Sequence, residues 1–182
     1  MSSATHQQQP GGRERFGTDE LAIVMSNYDI GVIREIREFP RGSRKAPKLL
    51  IESEQGSYLL KRRARGRDDA NKVAFTHQIQ LHLSAQQFPL PHLIGTRRDN
   101  NSMLQFGKSI YELFEYIPGQ GYPLTLESTL DAGRVLGLFH KLLEDFQTDP
   151  PPTVASYHNA PAIEQGLLGI ANNTVDSIYA GT

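Results

Sequence analysis

The chain has 182 residues, enough for about one domain, and its 19 Lys+Arg against 20 Asp+Glu leave a formal charge of −1. Hydrophobic residues at 38% and charged residues at 21% exclude a collagenous, wholly disordered or membrane-embedded chain. The absence of cysteine excludes a disulfide framework, a thiolate zinc site and a cysteine nucleophile.

No apolar run approaches the ~20 residues of a membrane span. The amino terminus, Met1-Ser2-Ser3-Ala4-Thr5-His6-Gln7, has neither a basic region nor an apolar one, so no signal peptide is expected. The default is a cytoplasmic chain with no membrane partner. Charge is uneven along it: residues 34–67 carry 11 Lys/Arg and 4 Asp/Glu, a local +7. Such a segment calls for an anionic partner, whether phosphate, nucleic acid or the acidic remainder of its own fold.

In chain order, residues 1–17 are polar, with Gln7-Gln8-Gln9 and Gly11-Gly12, and read as a disordered tail. Thr18 is a candidate N-cap, with Asp19 and Glu20 in the first turn of a short helix to about Ser26. Over 30–39 the recurrence of Ile30, Ile33, Ile36 and Phe39 suggests a helix, while the β-branched content argues for a strand. Lys48–Glu52 and Ser57–Lys61 are apolar runs joined by Ser53-Glu54-Gln55-Gly56, which predicts a β-hairpin. Asp68-Asp69 open a helix to about Gln87. It has one apolar stripe of Phe75, Ile79 and Leu83 and another of Ala74, Leu81 and Ala85, which predicts cover on both sides.

Phe88-Pro89-Leu90-Pro91 ends that helix. Short strands follow at Leu93–Thr96 and near Met103–Phe106. Ile110–Ile117 reads as a buried strand closed by Pro118-Gly119. A helix capped by Thr125 carries Leu126, Leu130, Gly133, Leu136, Gly137, His140, Leu143 and Phe146 on one face, and Asp149-Pro150-Pro151-Pro152 stops it. A last helix begins near Pro161. Strands, a helix, strands and then helices only make the fold class α+β.

Four places could carry chemistry. Lys61 lies near a strand end on the face of Leu59, where its ammonium could hold a phosphate as a point charge. It could equally begin a solvated run, Lys61-Arg62-Arg63-Ala64-Arg65-Gly66-Arg67. Read as a nucleic-acid patch, 61–67 lacks interleaved aromatics and any binding-module signature. In the loop Pro40–Pro47, Gly42 and Ser43 offer backbone N–H groups to an anion, though an ordinary hairpin loop has the same composition. Glu115-Tyr116-Ile117-Pro118-Gly119 ends a strand whose backbone could meet a flat heterocycle. The histidines offer no ligand pair: His77 and His82 are five apart, and His140, on an apolar face, reads as a core histidine.

Taken in order, these segments resemble the amino-terminal half of the protein-kinase-like small-molecule phosphotransferases, the superfamily of aminoglycoside phosphotransferases, choline kinases, type II homoserine kinases and CotS-like proteins. The resemblance is carried by Tyr28-Asp29-Ile30-Gly31, Gly42-Ser43 and Gly56-Ser57-Tyr58-Leu59-Leu60-Lys61. Phe88-Pro89-Leu90-Pro91, Tyr111–Gly119 and Ala132–His140 complete it, over roughly 19–146. It implies a kinase-like small lobe over 18–118, with an antiparallel sheet of about five strands and one long helix. A linker and the first helices of an incomplete large lobe would occupy 119–182. It makes 30–39 a strand. Gly42 and Ser43 would then cover the phosphates of ATP, and Lys61 would hold the α- and β-phosphates. Glu115 and Ile117 would present their C=O and N–H to the adenine edge.

Two departures accompany the likeness. The family's lysine is paired with a glutamate on the following helix; here that helix holds only Asp68 and Asp69, and the expected place falls near His77. The family's His-Gly-Asp catalytic loop, its Asn and its later metal-binding Asp have no counterpart: after His140 the aspartates are Asp145, Asp149 and Asp176. The resemblance therefore implies the ATP-binding portion of a kinase that moves the γ-phosphate to a small-molecule hydroxyl, with Mg²⁺ in the complete enzyme. Within this chain no catalytic and no metal residue is assigned. The alternatives are a non-enzymatic nucleotide- or protein-binding module and, less favoured, a nucleic-acid binder through 61–67.

Overall fold

The computed structural model describes residues 12–148. Five strands form one antiparallel sheet in the order β1-β2-β3-β5-β4, with β1 Ile33–Glu38, β2 Lys48–Ser53, β3 Ser57–Arg62, β4 Leu104–Phe106 and β5 Ser109–Glu115. Residues 30–39 thus hold a strand, and their period of three does not produce a helix. The turn Ser53–Gly56 closes on a bond from the Ser53 amide to the Gly56 carbonyl at 2.9 Å, with Gly56 at φ +147°, a region that glycine enters without steric cost. The strand expected at Leu93–Thr96 is reduced to a single bridge, Leu93 to Phe114.

Strand periodicity sorts the sheet into two unlike faces. Pairing Leu49 with Leu60, Ile51 with Tyr58 and Leu60 with Leu113 puts these residues on one side. There they form the hydrophobic core with Val24, Tyr28, Ile30 and Tyr111. Helix α1, Thr18–Met25, supplies Val24 to it. Its N-cap is Gly17 rather than Thr18, and Glu20 accepts from the Gly17 amide at 3.0 Å. Order starts earlier than the composition suggested. Arg15 pairs with Glu38 at 2.8 Å, Phe16 packs beside the core, and Arg62 binds both Glu14 and Glu20. The expected disordered tail is therefore wrong for 13–17, because these side chains find partners on the sheet; residues 1–11 lie outside the described ones.

The opposite face carries Lys48, Leu50, Leu59, Lys61, Glu112 and Phe114. Helix α2, Ala70–Ala85, reaches it through His77. Its N-cap is Asp69, which accepts from the Lys72 amide at 3.0 Å, and it buries Val73, His77 and Leu83. The second apolar stripe is not covered as expected: Leu81 is 52% exposed.

Helix α3, Leu126–Leu142, is capped by Thr125 and buries no residue. Its apolar face is open, with Leu126, Leu130 and Leu136 all exposed. His140 is exposed too, so it is not a core histidine. Contact with the rest of the lobe runs through the end of α3: Phe139 against Phe88, Phe146 against Phe75, and His82 on the Leu142 carbonyl at 2.9 Å. The helix expected near Pro161 lies outside the described residues.

Candidate functional site

Three adjacent strands place a row of charges across the second face. Lys48 stands opposite Lys61, and Lys61 opposite Glu112. The next row is apolar: Leu50, Leu59 and Phe114. The Lys61 ammonium lies 6.0 Å from the centre of the Phe114 ring and 3.1 Å from a Glu112 oxygen.

Glu112 is fully buried. Arg63 clamps its carboxylate from two nitrogens at 2.7 and 2.6 Å, and His77 Nε2 lies 2.7 Å from one oxygen. Burial alone would raise the carboxyl pKa. The hydrogen bonds from His77 and Arg63, then the charges of Lys61 and Arg63, outweigh it and hold the pKa at about 2. A carboxylate so held is ionised and can only accept, so His77 Nε2 carries a proton and donates it. The other ring nitrogen, Nδ1, meets the Ser102 hydroxyl at 2.8 Å.

Lys61 therefore does have an acidic partner. It comes from the neighbouring strand β5, not from helix α2, and the helix position where a glutamate was expected holds His77, which binds that same carboxylate. Sequence reasoning missed Glu112. The signal was a lone acid inside the apolar run Ile110-Tyr111-Glu112-Leu113-Phe114, which is tolerable only if cations meet it indoors.

The same ion pairs decide the nature of 61–67. Lys61 and Arg63 bind Glu112, and Arg62 binds Glu14 and Glu20 on the opposite face. Three of this run's five cations are paired within the fold, on both faces of the sheet, so it is not one solvated basic strip of the kind a nucleic acid would need.

The loop between β1 and β2 holds Gly42 at φ +83°, a conformation open to glycine. Arg13 reaches into it, donating to the carbonyls of Pro40, Gly42 and Ser43. Ser43 Oγ accepts from the Lys45 amide at 3.2 Å. Beyond β5, the Glu115 amide bonds the His92 carbonyl at 2.9 Å and the Tyr116 amide bonds the Ser57 carbonyl at 2.8 Å. The amide of Ile117 has no hydrogen-bond partner among the described residues. Tyr116 meets Phe39 edge to face, with centroids 6.0 Å apart, linking the start of the loop to this segment. Lys61 thus has its partner in place, Gly42 and Ser43 form the loop beside Lys48, and Glu115 and Ile117 lie at the exposed end of β5. No helix among the described residues is long and apolar enough to cross a membrane. Nor does any group of three or more His, Asp or Glu residues there suit a metal ion.

A family model described as "Phosphotransferase enzyme family" matches residues 35–169. No curated protein matches the chain. Among solved structures, an aminoglycoside phosphotransferase from Alicyclobacillus acidocaldarius aligns with a TM-score of 0.60 at 22% identity, over 91% of this chain and 48% of its own. Amicoumacin kinase hAmiN, solved with AMP-PNP and Ca²⁺, aligns at 0.62 and 12% identity, over 88% of this chain and 54% of its own. A spectinomycin phosphotransferase solved with ADP and spectinomycin aligns at 0.57 and 14% identity, over 87% and 47%. The chain spans about half the length of these structures, and the likeness is one of fold: a kinase-like small lobe.

Proposed function

The chain belongs to the phosphotransferase enzyme family, and on that premise we propose that residues 18–118 are a nucleotide-binding lobe that holds ATP. The observation that carries this reading is Lys61, fixed at 3.1 Å by a fully buried carboxylate, on the sheet face beside a glycine loop. A lysine so oriented is pre-organised to hold the α- and β-phosphates. Gly42 and Ser43 cover the phosphates from the loop. The Glu115 carbonyl and the Ile117 amide, free of a partner among the described residues, meet the adenine edge, with Leu59 and Phe114 as apolar floor. When bound, ATP supplies the γ-phosphate that the family's chemistry passes to a hydroxyl of a small molecule.

Positioning is what these residues contribute. In-line transfer also needs an acid near the acceptor hydroxyl and ligands for Mg²⁺, and residues 1–182 hold no His-Gly-Asp loop to provide them. We therefore assign nucleotide binding to this chain without turnover of its own, and a linker and the start of a helical lobe to 119–182. The solved structures are named for an aminoglycoside, amicoumacin and spectinomycin, which makes small molecules of that kind the acceptors to try first. A cytoplasmic setting, where ATP is abundant, suits the reading and the lack of cysteine. The test is calorimetric titration with ATP beside a transfer assay over aminoglycosides and amino alcohols. Wild type should bind, Lys61→Met should bind at least tenfold more weakly, and neither should turn over. Equal affinity in the two proteins refutes the Lys61 assignment, and sustained transfer refutes the assignment of binding alone.

A further inference from the structure

Lys48 takes no part in the binding scheme above, yet it stands directly across from Lys61 on the same sheet face. Its ammonium donates to the carbonyls of Arg41 at 3.2 Å and Ala46 at 3.4 Å. It also lies 3.0 Å from the point a Cβ on Gly42 would occupy. The group is therefore seated in the hollow of the glycine loop. Three N–H bonds are available and two point at carbonyls.

Among the described residues no carboxylate lies within ion-pair distance of Lys48. Glu112, the acid in its row, is already shared by Lys61, Arg63 and His77. The charged groups nearest in influence are cations: partial burial, then Lys61, then Arg13 push the Lys48 pKa down. Two facing lysines and one arginine around a loop, with one carboxylate among them already committed, leave an excess of positive charge. A multiply charged anion relieves it; a neutral or singly charged ligand does so only in part.

We propose that Lys48 is a second phosphate-binding cation, gripping a polyphosphate from the loop side while Lys61 grips it from the sheet. The inference rests on the nucleotide-binding reading for the identity of the ligand, but its geometry requires only the polyphosphate. It assigns the loop hollow to the outer phosphates, because Lys48 sits under Gly42 while Lys61 is drawn toward Glu112.

The experiment measures the affinity of wild type, Lys48→Met and Lys48→Arg for ATP, adenosine and inorganic tripolyphosphate. Lys48→Met keeps the stem and removes the charge. It should weaken ATP and tripolyphosphate at least tenfold and leave adenosine unchanged, while Lys48→Arg stays within threefold of wild type. In wild type, ATP should raise the Lys48 pKa, read from its ε-carbon NMR signal; this arm needs no variant to fold. Removing a cation from a cationic cluster should leave the melting temperature of ligand-free Lys48→Met equal to or above that of wild type. ATP affinity within twofold in Lys48→Met overturns the proposal while the nucleotide reading stands. If wild type binds tripolyphosphate but not ATP, and Lys48→Met loses it, the clamp stands and the nucleotide reading falls. If wild type binds neither, both fall.

Discussion

Glu112→Gln is the substitution that bears hardest on the site's architecture. It preserves the side-chain volume and one accepting oxygen for His77 while deleting the charge shared by Lys61, Arg63 and His77. The magnitude follows from linkage. The carboxyl titrates at about 2 in the fold and near 4.5 in the unfolded chain, and about 1.4 kcal/mol accompanies each tenfold step. The ionised group thus contributes roughly 3 kcal/mol, within the range for breaking one side of a buried pair. Because the folded pKa is depressed, this stability is complete above about pH 4.5 and is lost as pH falls toward 2. Urea unfolding followed by far-UV circular dichroism should therefore place Glu112→Gln about 3 kcal/mol below wild type at pH 7. At pH 3 the gap should be roughly halved, since wild type is by then taking up the proton. A gap below about 1 kcal/mol at pH 7, or one that does not change with pH, would refute the claim that this carboxylate is the charged keystone of the face.

Two other outcomes follow from the packing. Arg62→Met cuts the ties to Glu14 and Glu20; it should cost about 2 kcal/mol and speed amide hydrogen exchange over 14–20 while leaving β5 protected. The open apolar side of α3, with Leu130 66% and Leu136 56% exposed, should drive concentration-dependent association in sedimentation velocity. Leu130→Lys with Leu136→Lys should abolish that association without lowering the melting temperature, because neither side chain is buried.

The sheet was legible because its strands announce themselves locally. Lys48–Glu52 and Ser57–Lys61 are short apolar runs on either side of a Gly-containing turn, and Ile110–Phe114 is a run too apolar for a surface. Lys61 was legible by its place two residues after Leu59. Its partner was not, because pairing is decided by register: Lys61 meets Glu112 only once β3 lies antiparallel to β5 in one alignment. Arg63 and Lys48 were hidden for the same reason. In one dimension each belongs to a basic stretch that reads as solvated, whereas period two sends Arg62 to one face and Lys61 and Arg63 to the other. His140 and the second stripe of α2 misled in the opposite sense. Helical periodicity shows which residues share a side, but whether anything covers that side depends on what packs there, and α3 buries none of its own.

The proposed grip of the Lys61 face on the phosphates of a nucleotide can be measured on the molecule itself. The most direct test is an amide NMR titration of the intact chain with ATP up to millimolar concentration. Saturable shifts at Gly42, Ser43, Lys48, Lys61 and Ile117, with adenosine moving Ile117 but not the lysines, are the predicted result. Unmoved resonances at all five positions would contradict it.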